Sequence, residues 1–101
     1  MSEVNQTIKE RIRNLRAKML VHSYIYYELN DSIVSDDTWQ KWANELAEIQ
    51  NNNPSECKID FYDWEFVGWD GTTGHHLPYK TPWSRAVGDR ILKYHYANQK
   101  N

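Results

Sequence analysis

Cysteine is almost missing from this sequence: Cys57 is the one thiol in 101 residues. No disulfide can close within the chain, and a reducing cytosol is its expected setting. No stretch approaches the roughly 20 apolar residues that a membrane span needs. Met1-Ser2-Glu3-Val4-Asn5 lacks the basic-then-apolar pattern of a secretory signal. Glycine (4) and proline (3) are few, and neither interrupts the first thirty residues. No Cys-x-x-Cys or His-x-x-x-His spacing marks a zinc site. Internal repeats are absent, and the only low-complexity run is three asparagines. What is present is aromatic. Apolar residues reach 40% although the mean hydropathy is -0.88, and 5 Trp, 7 Tyr and 2 Phe must supply much of the core. The length suits one domain with one modest core.

The net charge of -2 conceals a segregation. Residues 1–30 carry five basic groups against three acidic ones. Residues 31–74 carry ten carboxylates against Lys41 and Lys58, and residues 75–101 five basic groups against Asp89 alone. The acidic middle reads either as a solvated face or as a surface presented to a nucleic-acid-binding protein.

Val4, Ile8, Ile12, Leu15, Met19, His22, Tyr26 and Leu29 recur every three or four residues, which predicts a first helix over 4–29. His22 falls on that stripe as a core or boundary residue. Asn30-Asp31-Ser32 is turn chemistry. Ser35 follows as an N-cap, with Asp36 and Asp37 where the helix dipole favours negative charge. Trp39, Trp42, Ala43, Leu46 and Ile49 then give a second helix over 35–50, closed by Asn51-Asn52-Asn53-Pro54. Residues 55–81 read as a short strand or two, an irregular aromatic loop, or both. Gly68 to Gly74 is loop-like. Thr81 and Pro82 open a third helix over 82–97, with Trp83, Val87, Ile91 and Tyr94 inward. The expected fold is therefore a single domain over 1–101, mainly α. It comprises an antiparallel helical hairpin, an irregular aromatic or short-strand segment, and a C-terminal helix.

Three separated sub-motifs carry a resemblance. They are Ile12-Arg13-Asn14-Leu15-Arg16, then His22-Ser23-Tyr24-Ile25-Tyr26-Tyr27, then Val34-Ser35-Asp36 with Trp39 and Glu45-Leu46 up to Pro54. Over residues 11–54 this resembles the N-terminal Ia domain of bacterial NAD-dependent DNA ligases. The chain as a whole resembles small phage-encoded proteins described as ligase-related. The resemblance implies a clamp for the nicotinamide mononucleotide half of NAD, with aromatic rings stacked on the pyridinium and carboxylates at the ring cation and ribose. Residue by residue it implies that Tyr26 and Tyr27 meet the nucleotide, that Asp36 is the first acidic contact, and that Trp39 replaces a family tyrosine. Gln40 stands where the family has its second aspartate, and Ser32 where it has a connector proline. A neutral amide offers a hydrogen bond where a carboxylate would offer charge.

Ligation itself is not expected. The adenylating lysine of ligases stands in a Lys-x-Asp-Gly motif, and Lys58-Ile59-Asp60-Phe61 lacks the glycine; 101 residues also leave no room for the other ligase domains. No nucleophile–base–orienter set is visible. His75 and His76, with Asp70 and Cys57, have no metal-ligand spacing, and Gly71-Thr72-Thr73-Gly74 lacks the lysine and hydroxyl of a P-loop. Trp64 and Trp69 are either core filling or interface anchors. Direct nucleic-acid binding is argued against by the net charge and by the absence of a reader motif.

Two functional expectations follow. The favoured one is a non-catalytic phage-type interaction protein in the host cytoplasm. It would be an anti-defence inhibitor or adaptor docking on a nucleic-acid enzyme such as a host defence nuclease, using Asp60, Asp63, Trp64, Glu65, Trp69 and Asp70. The alternative is a module that binds nicotinamide mononucleotide or NAD through Tyr26, Tyr27, Asp36 and Trp39.

Overall fold

The structure is a computed structural model that describes residues 7–31, 33–69, 71 and 77–98. Three α-helices order the chain: α1 (Ile8–Ser23), α2 (Asp36–Asn52) and α3 (Pro82–Asn98). A π-helical turn, Tyr24–Glu28, continues α1, and a short 3₁₀ turn, Pro54–Glu56, follows α2.

The helix ends follow local chemistry. At the start of α1, the Thr7 amide donates to Glu10 Oε1 at 2.8 Å and the Glu10 amide donates to Thr7 Oγ1 at 3.1 Å. This reciprocal capping box fixes the first turn at Ile8, four residues later than the apolar stripe predicted. Val4, the first residue of that stripe, lies outside the described residues. Ser35 caps α2 as expected, its hydroxyl accepting the Thr38 amide at 3.1 Å. Thr81 does the same for the Ser84 amide at 3.3 Å, with Pro82 in the first helical position.

Two apolar clusters hold the helices together. Ile12, Leu15, Met19 and Leu20 of α1 bury themselves against Ala43 and Leu46 of α2, with Phe66 and Leu77 closing the cluster. Val21, Tyr24, Ile25 and Tyr79 form a second cluster against Val87, Ile91 and Leu92 of α3. Here α3 comes close to the π turn: a Cβ on Gly88 would stand 2.5 Å from Tyr24 Cδ2. The Tyr24 hydroxyl also donates to Asp89 Oδ1 at 2.8 Å.

The apolar stripe departs from expectation at its far end. Tyr24 and Ile25 are buried, whereas Tyr26 and Leu29 are exposed. A π turn winds more residues per turn than an α-helix, so the phase slips after Ser23 and the stripe no longer faces inward.

The segment after α2 forms no strand among the described residues. Its backbone is organised instead by two side chains. Asp63 accepts the amides of Ile59 (3.1 Å), Asp60 (3.0 Å) and Phe61 (3.4 Å), while Asp60 and Tyr62 adopt left-handed φ of 58° and 57°. Amides gathered on one carboxylate and left-handed residues two apart leave no extended ladder to form. The second side chain is Arg16 of α1, only 1% exposed. Its guanidinium donates to Gln50 Oε1 (2.8 Å), the Phe61 carbonyl (2.8 Å), Asp63 Oδ1 (2.7 Å) and the Cys57 carbonyl (2.9 Å). A charge this deeply buried is tolerable because nearly every donor has a partner. Among the described residues, no helix is long and apolar enough to cross a membrane.

Candidate functional site

The π turn presents two adjacent tyrosines to solvent. Tyr26 is 53% and Tyr27 37% exposed, and their rings meet edge-on at 4.9 Å. Tyr27 also stacks on Tyr79, with ring centroids 5.5 Å apart and planes 23° apart. The chain then turns back on itself. Asn30 takes a left-handed φ of 54°, and the Asp31 amide donates to the Ile25 carbonyl at 3.0 Å. Tyr26, Tyr27, Asn30 and Asp31 enclose an open pocket of about 490 Å³. From α3, the Tyr96 hydroxyl donates to Asp31 Oδ2, and that bond raises the Tyr96 phenol above its ordinary pKa.

The other two expected nucleotide contacts lie on α2. Asp36 is exposed in the first turn. Trp39 is half-buried, packed against the main core and edge-on to Trp69 at 6.4 Å. Neither lines the tyrosine pocket. Gln40, where the resemblance implies a second acidic contact, is engaged elsewhere: its amide donates to the Gly71 carbonyl (2.9 Å) and to Asn44 Oδ1 (3.0 Å).

The six residues expected to form an acidic docking face divide. Asp60, Trp64 and Glu65 are exposed, Trp64 at 86%. Asp63 is drawn in by Arg16 and by the backbone it caps. Burial works against its charge, but Arg16 and the three amides prevail and hold its pKa below the usual carboxylate value. Trp69 is half-buried, edge-on to Phe66 at 5.3 Å as well as to Trp39. Asp70 lies outside the described residues, as do His75, His76, Thr72, Thr73 and Gly74. Among the described residues no group of three or more His, Cys, Asp or Glu could hold a metal ion.

The remaining titratable side chains have structural surroundings. His22 rests on Trp42 with ring centroids 5.4 Å apart, and burial followed by the Lys18 charge pushes its pKa down to about 4. Burial raises the Cys57 thiol, whose Sγ lies 3.5 Å from the Asn53 carbonyl. Cys57 borders a larger hollow of about 750 Å³ beside α2, together with Asn44, Glu48, Gln50, Phe66 and Trp69. Sequence reasoning did not single out Tyr79 or Tyr96, placed Arg16 in the first sub-motif without a structural role, and read Asp31 as a turn residue at the edge of the acidic middle.

Residues 5–60 match the family model described as DNA ligase-like, N-terminal NAD+-binding domain. The DNA ligase of Petrotoga mobilis is 38% identical over 104 residues, an alignment covering 98% of this chain and 15% of that ligase. The DNA ligase of Endomicrobium trichonymphae is 38% identical over 75 residues, covering 74% of this chain and 11% of the ligase. That of Lawsonia intracellularis is 40% identical over 47 residues, covering 46% and 7%. The chain thus spans about a seventh or less of the length of these relatives. No solved structure matches it.

These likenesses overturn the expectation of an anti-defence inhibitor docking on a nucleic-acid enzyme. They run along the chain with DNA ligases and an NAD+-binding domain, which is the alternative reading. A ligand of the NAD or nicotinamide mononucleotide class is consistent with that domain.

Proposed function

The chain belongs to the family of DNA ligase-like, N-terminal NAD+-binding domains, and on that footing we propose that it binds NAD+ through the nicotinamide mononucleotide half. The observation that carries this reading is the exposed Tyr26–Tyr27 pair, set around an open pocket within the matched residues. A flat cationic ring gains from aromatic faces, and an exposed pair can receive it without disturbing the core. Tyr26 and Tyr27 take the pyridinium at the pocket, and Asp36, exposed in the first turn of α2, takes the ribose hydroxyls, while Trp39 packs on Trp69 and the core and holds that turn in place. The chain acts by binding alone. Lys58-Ile59-Asp60-Phe61 lacks the glycine of the adenylating motif, so adenylate transfer is left to a domain that carries one. Its setting is the reducing cytoplasm, where the Cys57 thiol stays free.

Calorimetry with nicotinamide mononucleotide and with NAD+ tests this reading. Saturable heat is expected with both. Asp36→Ala should weaken it while costing the fold only about 0.3–1 kcal/mol at the helix terminus. No heat and no rise in melting temperature at millimolar ligand would remove it.

A further inference from the structure

We infer that Asp31 is the carboxylate that selects the cationic, oxidised pyridinium ring at the tyrosine pocket, with Tyr96 of α3 as its positioning residue. This rests on the nucleotide reading above and adds which acid meets the ring and which form of the ring is preferred.

Three observations lead to it. First, the pocket is lined by two tyrosines and an aspartate, Tyr26, Tyr27 and Asp31, together with Asn30. Aromatic faces beside a negative charge recognise a flat organic cation: the ring quadrupole and the carboxylate both favour positive charge, and Asn30 adds hydrogen-bonding capacity.

Second, Asp36 does not line the pocket, and the α2 position after Trp39 is Gln40. That side chain is neutral and is bonded to Gly71 and Asn44. Trp39 beside it packs on Trp69 and the core. Asp31 is the acid the pocket does contain.

Third, Asp31 is held in place at both ends. Its amide is bonded to the Ile25 carbonyl, and the preceding Asn30 sits in a left-handed conformation that reverses the chain. Its carboxylate receives the Tyr96 hydroxyl. A charge fixed before the ligand arrives loses less conformational freedom on binding than one on a mobile loop. Tyr96 lies beyond residues 5–60, so part of this arrangement comes from the portion of the chain that the family model does not cover.

Oxidised and reduced nicotinamide mononucleotide have nearly the same size, but only the oxidised ring carries a positive charge. A pocket whose selectivity comes from stacking alone would treat them much alike, whereas a carboxylate at the ring separates them. The experiment measures dissociation constants for both forms with the intact chain, with Asp31→Asn and with Tyr96→Phe, alongside the melting temperature of each. The wild-type chain should prefer the oxidised form by about fivefold, the scale of one partly exposed charge pair. Asp31→Asn should lose that preference by weakening the oxidised form alone. Tyr96→Phe, which keeps the carboxylate but loses its donor, should fall between. An unchanged preference in Asp31→Asn, or equal binding of both forms by the wild-type chain, would overturn the inference and leave the nucleotide reading standing. Equal weakening of both forms in Asp31→Asn would mark Asp31 as a structural residue and also overturn it. Failure of the wild-type chain to bind either form would overturn the nucleotide reading itself, and this inference with it.

Discussion

Arg16 shows how much one side chain can organise. Its guanidinium reaches α2 through Gln50 and the following segment through Cys57, Phe61 and Asp63. Arg16→Met keeps most of the apolar stem but leaves Asp63, the Gln50 side-chain oxygen and two backbone carbonyls without this donor. It should destabilise the fold by about 3–5 kcal/mol, read from urea denaturation. A loss below about 1 kcal/mol would show that water replaces the guanidinium at no great cost. His22 carries a second expectation at this scale. Its proton is held near the ordinary value of 6.5 in the unfolded chain but only near 4 in the folded one. Between those values the unfolded state binds more protons, so stability falls as pH drops through 6.5 and levels off near 4. His22→Gln should therefore lose about 2 kcal/mol less than the wild-type chain between pH 7 and 4, measured by urea denaturation at each pH. Glu45, lowered by its hydrogen bond to Arg11, and Asp63 add their own losses at more acid pH, and these are common to both proteins. Side chains such as Arg16 were not legible in the sequence because their partners lie 34 to 47 residues away. A basic residue one place off an apolar stripe reads as solvated until the segment that covers it is known.

At the scale of elements, legibility follows the range of the determining contacts. α2 and α3 were readable because Ser35, Thr81 and Pro82 act within four residues of themselves. The start of α1 was equally local, in Thr7 and Glu10, yet the apolar period ran past it. The π turn left no mark in the apolar pattern, and it is what turns Tyr26 outward and Tyr24 inward. Residues 55–81 were ambiguous because their conformation is set by Asp63 and by a residue of α1. Gly88 tests the packing of α3 on the π turn. An alanine inside a helix ordinarily gains about 1 kcal/mol over glycine. At Gly88 the added Cβ would meet the Tyr24 ring at 2.5 Å, and that ring is buried and bonded to Asp89. Gly88→Ala should therefore lower stability by about 1–3 kcal/mol in a thermal melt. A stabilised variant would mean that α3 sits further from Tyr24 than described.

For the whole molecule, the candidate site joins two parts of the chain. Tyr26, Tyr27 and Asp36 come from the portion matched to the NAD+-binding domain, and Tyr79 and Tyr96 from the portion beyond it. The sequence resemblance pointed to residues of the first part, the tyrosine pair among them. It could not find the second, because stacking on Tyr79 and the bond from Tyr96 depend on how α3 folds back over α1. The acidic middle of the chain misled in a related way: charge counts suggested a docking face, but Asp63 is used internally and Trp69 faces other rings. The most direct test is to titrate the isotopically labelled intact chain with nicotinamide mononucleotide and record backbone amide chemical shifts. Saturable shifts should centre on residues 24–31, with smaller ones at Tyr79 and Tyr96. Shifts confined to the hollow around Cys57, or none at millimolar ligand, would contradict the account.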